Sequence, residues 1–183
     1  MFADLLADAV ECTATELDHE LGRLELAARE LDARRLAVRA AAELKQVPAI
    51  DGHRSTKAYL RARCNQPAFV ALSEVRRARL CRDFPQVGEA LMAGRIGVGQ
   101  IDELVRITRN ERAVEHLDHG QVDMLLEHAE HLPIRDFGIV VDRWLLHADP
   151  DGAWRDQGES VDQRSAHVVA ANGQVYVGAE GGD

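Results

Sequence analysis

The feature that most constrains this chain is a run of apolar residues that alternates spacings of four and three from Val10 to Ala42. Apolar side chains occupy positions 10, 14, 17, 21, 24, 28, 31, 38 and 42, and Arg35 stands at the one position that breaks the pattern. This spacing places side chains along one side of an α-helix, so it predicts one long N-terminal helix. Pro48 disfavours helical geometry in the residue before it, and the helix is therefore predicted to end near Val47.

Two interpretations of this apolar run stay open. A helix in a bundle buries one apolar face against other helices of its own chain, and the helices predicted further along favour that arrangement. A heptad-like repeat is also typical of dimeric coiled coils, so a homodimer formed through the long helix is the alternative.

Proline, glycine and capping residues divide the next hundred residues into short helices. The predicted helices are Lys57–Cys64, Pro67–Arg82, Gln86–Ala93, Gln100–Arg109, a helix from Asp118 or Gly120 to His131, and Pro133–His147. Residues 49–54 are predicted to form a loop, and Gly94 is predicted to end its helix in the left-handed conformation. Hydrophobic residues make up 46% of the chain but aromatic residues only 4%, which favours helices packed through Leu, Ala and Val.

Beyond residue 148 the sequence changes character. Residues 149–164 are polar and acidic and are predicted to be a linker. Two β-prone runs then flank Asn172 and Gly173, which predicts a β-hairpin within residues 165–183, at the start of a truncated second module. The predicted fold is mainly α: a helical bundle over residues 1–148, with one long N-terminal helix and several short helices, followed by a C-terminal β-hairpin.

Residues 54–82 form what we call the basic region, which holds eight Lys or Arg and one acid, Glu74, in a chain of net charge −9. The basic residues are Arg54, Lys57, Arg61, Arg63, Arg76, Arg77, Arg79 and Arg82. A local excess of positive charge favours phosphates or acidic surfaces, so these eight residues are predicted to be nucleic-acid contacts, with DNA as the partner. In the alternative interpretation, the arginines pair with the acids of the long helix.

The helix predicted after Gly94 is a poor candidate for a DNA recognition helix. Gln100 opens it, but Asp102 and Glu103 follow at once, and their carboxylates repel phosphate.

Other site chemistries find little support in the sequence. Three cysteines, Cys12, Cys64 and Cys81, are widely spaced with no CxxC motif, which argues against a disulfide framework and a thiolate zinc site. Two pairs of histidines, at 116 and 119 and at 128 and 131, lie among acids, a pattern more typical of a solvated surface than of a metal site. We therefore predict no catalytic residue, no bound metal and no cofactor.

The sequence also predicts that the chain is not inserted in a membrane. No apolar run approaches the roughly 18 residues that a membrane-spanning helix requires. The first twelve residues carry acids where a signal peptide needs basic residues, so a cytoplasmic location is predicted.

Several motifs occur in a fixed order along the chain. Gly52 is followed by Ser55 and Thr56 and then by Leu60 and Arg61; an Arg-rich helix ends before Pro85; and an Ala-Leu-x-x-Gly-x-Ile-x-x-x-Gln turn spans residues 90–100. The Arg-rich helix contains Arg76, Arg77 and Arg79, and the turn contains Ala90, Leu91, Gly94, Ile96 and Gln100. Together these motifs resemble domain-of-unknown-function family 222, also called the 13E12 repeat family, which is common in actinobacteria.

The resemblance covers nearly the whole chain and implies a helical domain that precedes an HNH nuclease domain. An HNH site needs a histidine as general base and further residues that hold a metal ion against the scissile phosphate. No HNH pattern follows Gly152, so the resemblance implies an association with DNA-processing proteins and no nuclease activity of this chain. The expected role is a non-catalytic, DNA-associated domain, and the alternative is a protein-interaction or dimerisation module.

Overall fold

The computed structural model describes residues 1–150 and, beyond them, the backbone of residues 165–171 and 174–180. Nine α-helices lie in the first range, so the described part of the chain is mainly helical, as predicted. Their bounds are α1 Phe2–Glu11, α2 Ala14–Leu44, α3 Val47–Ile50, α4 Thr56–Cys64, α5 Ala68–Asp83, α6 Pro85–Met92, α7 Val98–Ile107, α8 His119–His131 and α9 Ile134–Ala148. A 3-10 turn, Ala113–His116, connects α7 to α8.

The long helix is α2, and it starts later than the prediction of Val10. Thr13 caps it, because its hydroxyl accepts a hydrogen bond from the amide of Glu16 and the Glu16 carboxylate accepts one from the amide of Thr13. This reciprocal capping box separates α2 from the short helix α1. At its other end α2 stops at Leu44 and not near Val47, because Gln46 adopts the left-handed conformation, with φ of 55°.

The short helices agree with the prediction to within about two residues. Residues 49 and 50, predicted as loop, instead belong to the single turn of α3. Ser55 caps α4 by accepting a hydrogen bond from the amide of Ala58. Gly94 ends α6 with φ of +73°, as predicted, and a Cβ at this position would collide with the side chain of Leu26.

Most of the buried apolar residues form one cluster, to which α2 and α5 to α9 all contribute. Its largest fully buried side chains include Phe137, Leu91, Ile96 and Ile101. A smaller cluster of Leu60, Ala71 and Val75 joins α4 to α5. In this way α4 and α5, which carry the basic region, are fixed beside the second half of α2.

Two antiparallel strands, β1 (Ser165–Ala171) and β2 (Gln174–Glu180), pair at the level of the backbone with Ala171 opposite Gln174. The residues of the predicted Asn-Gly turn, and those of the predicted linker from 151 to 164, lie outside the described residues. The hairpin and the second module therefore stay predictions, and the helical bundle carries the description that follows.

Candidate functional site

The apolar run on α2 is exposed in the structure. We call Leu17, Leu21, Leu24, Leu31 and Val38 the leucine stripe; their exposed fractions range from 36% to 69%. Every residue from Glu11 to Ala28 is exposed, so the first half of α2 extends away from the bundle. The helix packs in a bundle, as predicted, but the stripe is not the face that it buries.

A different face of α2 packs on the bundle, through Ala33, Leu36 and Ala40. At 3.6 residues per turn, Leu36 points about 140° away from Leu31 around the helix axis. Small residues allow α5 and α6 to approach the helix closely along this second face. Since the bundle occupies this side, the heptad-spaced leucines are left on the other.

Three arginines of the basic region are paired with acids of the same chain, and Arg77 is the most enclosed of them. Its side chain is 17% exposed, and its Nε donates to Asp102 Oδ1 on α7 at 2.6 Å, while Nη1 donates to Glu74 Oε1 at 3.1 Å. The bond to Asp102 raises the pKa of the guanidinium. Arg77 thus connects α5 to α7.

Arg79 and Arg82 face the end of the long helix. Arg79 makes a two-pronged bond to Glu43 of α2, with Nε and Nη2 at 2.9 and 2.7 Å from the two carboxylate oxygens. Arg82 donates to Asp83 at 2.8 Å and lies 3.6 Å from Glu43. The hydrogen bond from Arg79 is the main reason that the pKa of Glu43 lies below its ordinary value. The alternative interpretation, in which the arginines pair with acids of the long helix, therefore holds for Arg79 and Arg82, which both lie beside Glu43.

The other five predicted residues have no ion pair or side-chain hydrogen bond within residues 1–150. They are Arg54, Lys57, Arg61, Arg63 and Arg76. Lys57 and Arg61 lie one turn apart on α4 and Arg54 lies just before this helix; Arg54 and Arg61 are exposed. The structure therefore separates the basic region into three paired arginines on α5 and five unpaired residues, of which Lys57, Arg61 and Arg63 lie on α4, Arg54 just before it and Arg76 on α5.

Arg76 lies in a cleft of about 470 Å³ between α5 and α7. Arg79, Thr108 and Arg109 also line this cleft, and Arg109 was not among the residues that the sequence singled out. Its position just after the end of α7 brings it near Arg76, and only the packing of the two helices could have revealed this proximity.

Arg63 points the other way, toward α2. Together with Arg34 and Arg35 it borders a groove of about 370 Å³ between α2 and α4, where Val38 and Tyr59 provide apolar surface. Arg34 and Arg35 bond to Glu30 and Asp32 of their own helix. This groove combines an apolar floor with an arginine rim, and it continues the leucine stripe.

A buried ion pair holds the packed face of α2 against α5. Arg39 of α2 bonds to Glu74 of α5, and their side chains are only 9% and 11% exposed. Glu74 also accepts from Arg77, so a line of alternating charges runs from α2 through α5 to α7. Glu74, the single acid of the basic region, is thus structural, a role that sequence reasoning missed.

Comparison with known families supplies the decisive observation on identity. Residues 18–177 match the family described as "Domain of unknown function (DUF222)". The chain belongs to this family. No curated protein and no solved structure matches the chain.

Several motif residues that resemble the DUF222 pattern have structural roles in this member of the family. Ser55 caps α4, Gly94 provides a left-handed turn, and the Gln100 side chain accepts a hydrogen bond from the amide of Gly97 at 3.0 Å. Arg77 belongs to the ion-pair network between helices. These motif residues therefore account for how the domain folds.

His119 and His131, one from each pair of histidines, contact other residues of the domain. His119 Nδ1 is 3.0 Å from Gln86 Oε1, and the ring makes an edge contact with Phe84. His131 Nδ1 bonds to the carbonyl of Glu127. Within the part of the chain that the structure describes, no group of three or more His, Cys, Asp or Glu is arranged to hold a metal ion.

No helix among the described residues combines the length and the apolar character needed to cross a bilayer.

Proposed function

We propose that this domain is a protein-interaction module, without a catalytic role of its own, that associates with a second copy of itself through the leucine stripe of α2. The observation that carries the proposal is that a 31-residue helix buries one face in the bundle and leaves its heptad-spaced face in solvent. Coiled coils are recognised by this kind of face when it is sustained over three to four heptads.

The energetics favour a partner for this face. Fully burying one leucine side chain stabilises an assembly by about 1.5–3 kcal/mol relative to leaving it exposed. The stripe offers four leucines and one valine to each partner, and each is already at least about a third exposed. Burying the apolar area that is still exposed on these side chains offsets the free-energy cost of association, which is several kcal/mol or more.

The exposure of the first half of α2 is a second reason to expect a partner for this helix. Isolated helical segments shorter than about 12–15 residues are marginal in water, and every residue from 14 to 25 is exposed. Helices in proteins are stabilised mainly by tertiary packing of an apolar face. A second helix laid along the stripe provides that packing.

The resemblance to proteins with an HNH nuclease domain gives this module a place in a larger process. A self-associating domain would bring together two chains, or two attached domains, that act on DNA. The family match itself describes only a domain of unknown function. The association with HNH endonuclease-like proteins is therefore part of our proposal.

Sedimentation equilibrium over a range of protein concentrations tests the proposal. We expect a reversible dimer that the double variant Leu24→Ala, Leu31→Ala weakens by at least tenfold in Kd, since each substitution removes apolar area from the interface. The control removes two equally exposed side chains on α9, Ile139→Ala with Leu146→Ala, which are 47% and 52% exposed. A strict monomer at every concentration, or equal weakening by both double variants, contradicts the proposal.

A second candidate function is polyanion binding by unpaired residues of the basic region. Arg54, just before α4, and Lys57 and Arg61, on α4, are unpaired within residues 1–150. Contacts from such residues to phosphates give affinity that falls steeply with salt. A DNA-binding titration by fluorescence anisotropy should show that Lys57→Ala with Arg61→Ala reduces both the affinity and the salt slope.

The matched control for that titration removes the same number of charges from α5, through Arg79→Ala with Arg82→Ala. Both of those arginines are already paired with carboxylates. If DNA binds no more weakly after the α4 changes than after the α5 changes, the unpaired cations are not the contacts.

A further inference from the structure

We infer that the two copies pair antiparallel, with residues 14–25 of one α2 laid along the second half of the other α2 and into the groove beside α4. This inference rests on the proposed self-association and specifies its partner surface, its orientation and its register. Three features of the described residues lead to it: the charge asymmetry of α2, the sizes of its stripe residues, and the groove.

The charge on α2 changes sign along its length. Residues 14–25 carry four carboxylates and one basic residue, Arg23. The four carboxylates belong to Glu16, Asp18, Glu20 and Glu25. Residues 29–39 carry four arginines against two carboxylates. Arg39 is buried in its pair with Glu74 on the packed face, so three arginines and two carboxylates remain outside the core. An antiparallel pair places the acidic half of each helix beside the basic half of the other, whereas a parallel pair places like halves together.

The heptad pattern is compatible with an antiparallel pair centred on residue 26, which is the register that we propose. In it Leu21 faces Leu31 of the second copy and Leu17 faces its Arg35. Leu17, Leu24, Leu31 and Val38 repeat every seven residues, and Ala14, Leu21, Ala28 and Ala42 occupy the other stripe position together with Arg35. With the two helices centred on residue 26, Leu24 faces Ala28 of the second copy and Val38 faces its Ala14. Large side chains then meet small ones at these layers, which is how facing positions interdigitate well.

The two flanks of this register differ in charge, and one of them pairs opposite charges. Glu20 comes beside Arg34 of the second copy, twice by symmetry, because flanking positions pair across an antiparallel coiled coil. On the other flank Glu25 meets its own equivalent and Asp18 meets Asp32 of the second copy, but Glu25 and Asp32 already accept bonds from Arg29 and Arg35 of their own helix, at 3.1 and 2.8 Å. In a parallel pair, by contrast, Glu20 faces Glu25 of the second copy, five residues further along, and like charges oppose.

The groove between α2 and α4 fits the incoming segment. Val38 is both a stripe residue and part of the groove lining, which also includes Ala42 and Tyr59. Arg34, Arg35 and Arg63 border it, and the segment that would enter it, residues 14–25, is net acidic. This gives Arg63 a role in association and separates it from the other cations of α4.

Disulfide trapping tests the orientation. A background of Cys12→Ser and Cys64→Ser removes the two exposed thiols. Cys81 is retained because burial raises the pKa of its thiol to about 12, which keeps it protonated and unreactive. In that background one preparation carries Leu21→Cys and another carries Leu31→Cys, and the two are oxidised separately and after mixing.

We expect a disulfide-linked dimer only in the mixture, because Leu21 of one copy faces Leu31 of the other and each residue lies about 15 Å from its own equivalent. Cross-linking of Leu21→Cys alone would overturn the antiparallel orientation while leaving self-association intact. Absence of any dimer by sedimentation would instead overturn the proposed function, so the two failures are distinguishable.

A charge exchange tests the register independently of oxidation. Glu20→Arg and Arg34→Glu should each weaken the dimer by about threefold to tenfold, and the double variant should recover most of that loss, because exposed pairs contribute modestly but reciprocally. Arg143→Glu, at an exposed position on α9, makes the same charge change as Arg34→Glu and should leave Kd within about twofold. Failure of the double variant to recover affinity contradicts this register.

Discussion

The two faces of α2 differ in what they contact: one is buried in the bundle and the other faces solvent. The face with Ala33, Leu36 and Ala40 is buried, and it carries the enclosed ion pair between Arg39 and Glu74. The leucine stripe on the other side has more apolar surface and yet remains in solvent. Apolar periodicity therefore identifies a contact face without identifying its partner. Small residues can decide which face of a helix the chain buries against itself.

The largest effect is expected on the packed face, at the buried ion pair. Arg39→Met should lower the free energy of unfolding by about 3–5 kcal/mol, because it leaves the Glu74 carboxylate enclosed with one partner fewer. Urea denaturation measures this. In the double variant Arg39→Met, Glu74→Leu most of the loss should be recovered, since no uncompensated charge stays buried, although Arg77 then relies on Asp102 alone. A double variant as unstable as the single one contradicts this account.

The next prediction compares a leucine on each face. Leu36→Ala should cost about 2–5 kcal/mol of unfolding free energy, as buried leucines do. Leu31→Ala, on the stripe, should change the stability of the monomer by no more than about 0.5 kcal/mol. Both are measured by denaturation at concentrations where sedimentation shows a monomer. Equal losses would mean that the stripe packs within the chain after all.

A third prediction concerns the point where α2 leaves the bundle. Gly94→Ala should destabilise the domain by about 1–2 kcal/mol, because the position has φ of +73°, a conformation that costs an L-residue that much. The added methyl group also meets Leu26, while Arg29 donates to the Gly94 carbonyl at 2.9 Å. Thermal unfolding of Gly94→Ala and of the exposed control Gly22→Ala, where no atom lies within 4 Å of a new Cβ, separates the local strain from a general effect.

The smallest effect is a pH dependence at the end of α2. The hydrogen bond from Arg79 holds the pKa of Glu43 below its ordinary value of 4.5. The unfolded chain therefore binds this proton more readily, so the contribution of Glu43 to stability is present above about pH 4.5 and is lost as the pH falls through the lowered value. Denaturation between pH 6 and pH 3 should show a shallower loss for Glu43→Gln than for the unchanged chain. An identical slope for both proteins would show that the pair contributes nothing measurable.

The sequence predicted most of the helices because their signals are local. Pro85, Gly94 and Ser55 act on their own neighbours, and the buried positions of α7, such as Ile101 and Leu104, follow its period of 3.6. The predicted start of α2 was wrong, because the apolar period continues on both sides of Thr13. The capping box of Thr13 and Glu16 sets the boundary instead.

The pairing of arginines with acids could not be predicted in the same way. Arg77 meets Asp102 and Arg79 meets Glu43 across 25 and 36 residues of sequence, and such meetings depend on how helices are placed. The same limit applies to the stripe, whose period is identical for intramolecular and intermolecular packing. Sequence therefore predicted candidate surfaces, and the fold decided which charges remained available on them.

The protrusion of residues 14–25 has a consequence for amide hydrogen exchange. Without a partner, the hydrogen bonds of this segment open by local fraying, so its amides should exchange quickly while those of residues 33–43 remain protected. Association would join both stretches into a single cooperative unit. The exchange rate at one end of α2 would then report how much of the protein has assembled.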